Sequence, residues 1–181
     1  MDAIEMIKER RSVRKFKQEK VDRQTMTEIV ELSRWAPSWG NFQVARYTLV
    51  DDRSVIEKLA TDGVDGFVYN INTLKNAIGV AVLSFVKGKS GKLEGDDYAT
   101  SKANVWEVFD AGIACQTFTL AAHAKGVGTC VMGVINDQSI SEIVGLPEEE
   151  TVAALIVYGY EDGEHAKPTP RKKVADILRF V

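Results

Sequence analysis

Apolar positions recur along this chain with two periods, and the changes of period mark its elements. Ala3, Ile4, Met6 and Ile7 repeat at helical spacing behind Asp2, a candidate N-cap, and predict a helix over residues 2–9. Met26, Ile29, Val30 and Ser33 share one face of a second helix, which begins at Asp22 and must stop near Pro37. Residues 46–51 read as a short strand, and Ser54 and Glu57 have the spacing of a capping box that opens a helix through about residue 60. Residues 61–76, with Gly63, Gly66 and several asparagines, read as irregular. Residues 77–86 are mostly apolar and often β-branched, as expected of a buried strand, and the glycine- and lysine-rich 87–95 reads as an exposed loop. The longest helix is expected over 101–125, closed by a left-handed Gly126; its second half, 111–124, is apolar on nearly every face and belongs inside the core. A strand at 127–132, a helix at 138–144 closed by Gly145 and a strand at 151–160 follow. The tail beyond Gly163 holds Pro168, Pro170 and a basic patch, then an arm-like 174–181. Strands separated by helices, with one central buried helix, indicate an α+β sandwich around a small sheet, built as a single domain over 1–181.

Composition narrows the function classes. Apolar residues make up 45% and charged residues 27% of 181 residues, ordinary values for a folded domain. A balance of 23 basic against 26 acidic side chains, net −3, argues against a general nucleic-acid binder. Cys115 and Cys130 are too few for a disulfide framework and form no C-x-x-C pair. His123 and His165 stand far apart in sequence, so no metal site is expected. The N-terminus has no apolar signal region and no apolar run reaches membrane-spanning length, so the expected setting is a reducing cytoplasm without membrane contact.

Two segments carry candidate chemistry. Arg10-Arg11-Ser12-Val13-Arg14-Lys15-Phe16 places three guanidiniums and a hydroxyl together, donors that suit a phosphate. In an extended segment Arg10, Ser12 and Arg14 project from one face, with Arg11 and Val13 on the other; the same run also reads as a solvated basic face. Ala36-Pro37-Ser38-Trp39-Gly40-Asn41-Phe42-Gln43 describes an irregular polar loop beyond a helix end, where Asn41 and Gln43 can each donate to and accept from a heterocycle edge, or simply close a turn. Cys115, in the apolar helix, reads as core; nothing beside Cys130 would activate it; His123 reads as a packed or capping residue. Gly126, Gly128 and Gly133 do not form a dinucleotide fingerprint, and no Walker-type phosphate loop occurs.

These two segments, with Asp110-Ala111-Gly112 and the apolar stretch that follows it, Gly126-Val127-Gly128-Thr129-Cys130, Gly145-Leu146-Pro147, Tyr158-Gly159-Tyr160 and a terminal Arg171 before Ile177-Leu178, resemble the flavin-dependent nitroreductase family over nearly the whole chain. The resemblance implies a three-layer α-β-α sandwich with a central, mainly antiparallel sheet, in an intertwined homodimer whose C-terminal arm, about 164–181, wraps the partner. It implies FMN tightly bound at the dimer interface. Arg10, Ser12 and Arg171 would hold the phosphate, with Arg11 and Lys172 beside them, and Arg14 would sit near the flavin N1 and C2 carbonyl, where the reduced ring gains anionic character. Pro37, Ser38 and Trp39 would reach the ring from the partner, Asn41 and Gln43 would serve the ribityl chain or ring edge, and the backbone at Val131, Met132 and Gly133 would pass the isoalloxazine.

Three positions depart from the family pattern: Trp39 stands where a small residue is common, Val44 where a proline follows the glutamine, and Thr169 where a lysine often precedes the terminal arginine. The activity implied is electron transfer from NAD(P)H through FMN to a nitroaromatic, quinone or related small acceptor, with no side-chain nucleophile or base. A non-catalytic flavin sensor or carrier would use the same binding residues.

Overall fold

Alternation along the two central strands dictates the layers. The structure, a computed structural model, describes residues 2–93, 95 and 97–181. Strand β2 (Gly79–Val86) is buried at all eight positions although its neighbours run antiparallel, because helices cover both faces of the sheet. Val80 and Val82 of β2, with Leu155 and Val157 of β4 (Glu150–Gly159), point into one core; Ala81, Leu83 and Phe85, with Ile156 and Tyr158, point into the other. The first core is closed by α3 (Arg53–Asp62), α4 (Val68–Asn76) and α6 (Asp137–Val144) through Ile56, Leu59, Leu74 and Ile140. The second is closed by α2 (Arg23–Ser33) and α5 (Val105–Ala124) through Met26, Ile29, Phe118 and Ala122. The sheet order is β1-β2-β4-β3, with β1 at Ala45–Val50 and β3 at Gly128–Met132, every pairing antiparallel and a register shift between Leu83 and Ser84. This is the expected three-layer α-β-α arrangement.

The short helix α1 (Ala3–Glu9) begins with a capping box: Asp2 accepts from the backbone of Ile4 and Glu5, and Glu5 accepts the Asp2 N–H. Its apolar residues do not enter the core, however; Ile4 and Ile7 are each more than 60% exposed. Glycines close α5 and α6 as expected, Gly126 at φ +75° and Gly145 at φ +65°.

Four other expectations need correction. The cap of α3 is Asp52, not Ser54: one carboxylate oxygen accepts both the Ser54 and Val55 N–H groups, so the helix starts two residues earlier, and it runs on to Asp62. Residues 61–76 are not irregular, since α4 forms there with Thr73 and Leu74 as its buried residues. Helix α5 starts at Val105 rather than near residue 101, after a turn in which Ala103 takes φ +48°. Within 87–95 the segment is not uniformly exposed, because Ser90 is fully buried; Glu94 lies outside the described residues, as does Asp96. Beyond Gly163 the tail is exposed throughout and forms a single helical turn, Val174–Asp176, so it is an arm that does not pack into its own core. No helix among the described residues is long and apolar enough to cross a membrane.

Candidate flavin site

After α1 the chain turns extended and runs along the outer edge of β3. The Val13 N–H donates to the Thr129 carbonyl at 2.9 Å, and the Lys17 N–H donates to the Tyr160 carbonyl at 2.9 Å. Val13 and Phe16 are the buried anchors of this segment, and both lie against glycines. A Cβ on Gly128 would come within 2.8 Å of a Val13 methyl, and one on Gly159 within 2.9 Å of the Phe16 ring. Only glycine lets the segment lie this close, and with Val13 turned inward its neighbours Ser12 and Arg14 face solvent.

There the tail meets them. Arg10, Ser12, Arg14, Thr169 and Arg171 line one cleft of about 220 Å³, with Arg11, Ala166 and Lys167 on its walls. The Arg10 guanidinium has no hydrogen-bond partner among the described residues, Arg14 donates only to the Ser12 carbonyl at 3.2 Å, and Arg171 donates to Thr169. These guanidiniums from both ends of the chain, none with a carboxylate partner among the described residues, make an electropositive pocket whose forked donors suit a phosphate dianion.

Arg11 stands apart from its neighbours. Its side chain is only 11% exposed and its donors go to the chain's own carbonyls, Nε to Ala166 at 3.0 Å and Nη1 to Lys8 and Arg10. It ties the end of α1 to the start of the tail. Lys172 follows Arg171 but does not line the cleft.

The second block surrounds a different cavity. Pro37, Ser38, Gln43, Arg46, Tyr47 and Asp110 are among the residues that line a space of about 290 Å³ between α2, β1 and α5. The loop is held in unusual backbone geometry: Gly40, Asn41 and Gln43 have φ of +54°, +57° and +51°. For Asn41 and Gln43 such left-handed conformations cost about 1–2 kcal/mol each, and strain of this kind gathers at binding sites. The Ser38 hydroxyl accepts the Gln43 N–H at 2.8 Å, and Asp110 accepts the Trp39 N–H at 2.9 Å. The other Asp110 carboxylate oxygen accepts from the Ser90 hydroxyl at 2.6 Å, so one buried side chain fastens both loops to α5. One turn earlier, the buried Glu107 accepts the Gly88 N–H at 2.6 Å. Trp39 stacks on Phe42 with ring centres 5.7 Å apart and heads an aromatic row continued by Trp106 and Phe109.

At the end of β3 Val131 is exposed, the Met132 side chain is buried in the α3/α4/α6 core, and Gly133 is exposed. What Met132 offers the strand edge is therefore its backbone. A single chain brings together Arg10, Ser12, Arg14 and Arg171 beside this edge, but leaves Pro37, Ser38 and Gln43 around a cavity that the cleft residues do not share. Sequence reasoning missed Asp110, although a carboxylate inside an otherwise apolar helix, one turn from Glu107, was the available signal.

The cysteines are quiet. Both are free, and burial pushes the Cys115 thiol up to about 11 and raises that of Cys130. Among the described residues no group of His, Cys, Asp or Glu side chains is arranged to hold a metal.

Comparison with known proteins gives the family. The model of the Nitroreductase family matches residues 7–160. An FMN-dependent nitroreductase from Clostridium difficile, known as a solved structure, is 27% identical, superimposes with a TM-score of 0.78, and the match covers 98% of each chain. A 4-nitrobenzoate reductase from Nocardioides is 26% identical over 99% of this chain and 89% of its own. An NAD(P)H-dependent FMN reductase from Bacillus subtilis is 25% identical over 92% of this chain and 68% of its own. The matched span takes in every helix and strand from β1 to β4 together with the arginine segment, and by it the chain is an oxidoreductase of the Nitroreductase family.

Proposed function

We propose that the protein is a homodimeric, FMN-dependent NAD(P)H oxidoreductase that delivers electrons to nitroaromatic, quinone or related small acceptors. The observation that carries this reading is the convergence of Arg10, Ser12, Arg14 and Arg171 on one cleft where the N-terminal segment bridges the outer edge of β3. Their donor set fits the phosphate and the electron-rich ring edge of FMN. When bound, the flavin supplies the redox chemistry between a reduced nicotinamide and the acceptor.

The chain's own residues bind and orient. Arg10, Ser12 and Arg171 grip the phosphate, Lys172 adds positive charge nearby, and Arg11 holds the wall of the cleft by its backbone contacts. Arg14 would lie toward the N1 and C2 carbonyl edge of a bound flavin, where its charge would stabilise negative charge. The backbone of Val131, Met132 and Gly133 would pass beside the ring. Pro37, Ser38, Trp39, Asn41 and Gln43 complete the site from a second copy, because within one chain Pro37, Ser38 and Gln43 line a separate cavity that neither Trp39 nor Asn41 lines. A second copy would also cover Ile4, Ile7 and the apolar tail residues Ile177, Leu178 and Phe180, which are otherwise in water. Two free, buried-side thiols suit a reducing cytoplasm.

The visible spectrum of the purified protein is the test. A yellow dimer that oxidises NADH or NADPH in the presence of a nitroaromatic is expected. A colourless protein that takes up no added FMN overturns the reading, and a bound flavin that no nicotinamide reduces overturns the enzymatic part of it.

A further inference from the structure

At the root of the tail two imidazoles stack, His123 at the end of α5 and His165, with ring centres 6.3 Å apart and planes 19° from parallel. His165 is held at both nitrogens: Nδ1 lies 2.7 Å from a carboxylate oxygen of Glu161, and Nε2 lies 2.8 Å from the Glu9 carbonyl. A carbonyl and a carboxylate only accept, and a neutral imidazole has a single N–H, so the full set of bonds exists only in the imidazolium form. The facing groups are Glu161 on the strand side, Arg10 and Arg11 after α1, and His123 on α5. His123 differs in character. Its Nε2 is buried without a partner, and burial, helped by the charge of His165, holds it below the usual 6.5, whereas the hydrogen bonds to Glu161 and Glu9 raise His165 above it. Of the two rings, His165 is therefore the one that keeps its imidazolium proton to higher pH.

The placement of this proton matters because the exposed tail has few fastenings. Among the described residues the polar links from 164–181 to the body are the two His165 bonds and the Arg11 Nε bond to the Ala166 carbonyl. Six residues beyond His165, Arg171 enters the anion cleft with Arg10, Ser12 and Arg14. We infer that His165, as imidazolium, is a positioning residue that fastens the tail and presents Arg171 to the phosphate, so the grip on a phosphorylated flavin loosens when His165 is deprotonated. This rests on the proposed flavin reading for the identity of the anion.

The test compares FMN with riboflavin, which lacks the phosphate, by fluorescence titration of the flavin-free protein. It runs from about pH 7 to about pH 9, where the phosphate stays dianionic. It also follows hydrogen exchange of residues 164–171 over the same range, corrected for intrinsic rates. FMN affinity in the wild type is expected to fall about fivefold, as for one charge-assisted contact at a partly exposed site, with riboflavin unaffected and tail exchange accelerating. His165→Asn is expected to bind FMN at the weaker level at every pH and to exchange quickly throughout. Glu161→Gln, whose amide can donate to a neutral Nδ1, should flatten the profile. Equal FMN profiles in the wild type and His165→Asn, or tail exchange independent of pH, overturn the inference. If neither flavin binds, the flavin reading falls, and the exchange data still decide whether His165 fastens the tail.

Discussion

Replacing Gly128 by alanine tests whether the arginine segment is positioned by packing. The added Cβ would stand 2.8, 2.9 and 3.0 Å from Val13 Cγ2, Cβ and Cγ1, against the roughly 3.5–4 Å at which carbon atoms normally rest. Val13 cannot yield outward cheaply: it is 5% exposed, and its N–H is bonded to the Thr129 carbonyl. Overpacking of this kind costs about 1–3 kcal/mol, offset by about 0.5–1 kcal/mol because alanine is the better strand residue. A net loss of about 1–2 kcal/mol is expected in urea unfolding, a visible shift of the midpoint at unchanged slope. Val13→Ala alone removes two methyls and loses about 1.6 kcal/mol at about 0.8 kcal/mol each. With those methyls gone the remaining 2.9 Å approach can relax, so the double variant should be more stable than the sum of the two losses by about 1 kcal/mol. Since Ser12 and Arg14 flank Val13, Gly128→Ala should also weaken FMN more than riboflavin. Additive losses, or a Gly128→Ala protein within about 0.5 kcal/mol of wild type with unchanged FMN affinity, would refute the packing account.

Asp110→Ala should lower stability by about 2–4 kcal/mol in chemical denaturation, because it strands the Trp39 N–H and the Ser90 hydroxyl; Asp110→Asn, which keeps one acceptor, should lose less, and equal effects would count against the two-loop role. Arg14→Ala should retain FMN less well and slow its reduction by NAD(P)H in stopped-flow spectroscopy; no change in either measurement removes Arg14 from the ring edge. His123 sits below its unfolded value of 6.5, so its contribution to stability is fully present above that value and is lost as pH falls through the lower folded one. His123→Gln should therefore show a shallower loss of urea midpoint than wild type between about pH 7 and about pH 5.

The α+β sandwich was legible from period, whereas its three layers and antiparallel sheet came with the resemblance to the nitroreductase family. A short, mostly apolar and β-branched run before a glycine-rich turn reads as a strand covered on both faces, and a helix apolar all round has to lie inside. Helix α4 was hidden because it is held by position more than by pattern: Asn70, Asn72 and Asn76 are poor helix formers, while Val68 and Tyr69 stay in water. The arginines were legible as a group and not one by one. Alternation turned Arg11 away from Arg10 and Ser12, and the structure gives the reason, since that other face looks onto carbonyls at the end of α1 and the start of the tail. Asp110 and His165 were missed because their partners, Trp39, Ser90 and the Glu9 carbonyl, are brought to them only by the fold.

On the proposed flavin reading, a site divided in this way would tie flavin binding to the assembly of two copies. The phosphate cleft needs both termini, joined through Arg11, His165 and the close approach of Val13 to Gly128, while the strained loop at Ser38–Gln43 is secured separately by Asp110. The left-handed Asn41 and Gln43 are held by the Ser38 and Asp110 hydrogen bonds that fasten that loop, so it is already shaped for the second copy proposed to meet it. The tail has no such burial and depends on a few exposed polar bonds. Of the two halves the loop is therefore preorganised and the tail conditional, and FMN affinity should respond to salt and pH mainly through Arg171, with the loop's contribution nearly constant.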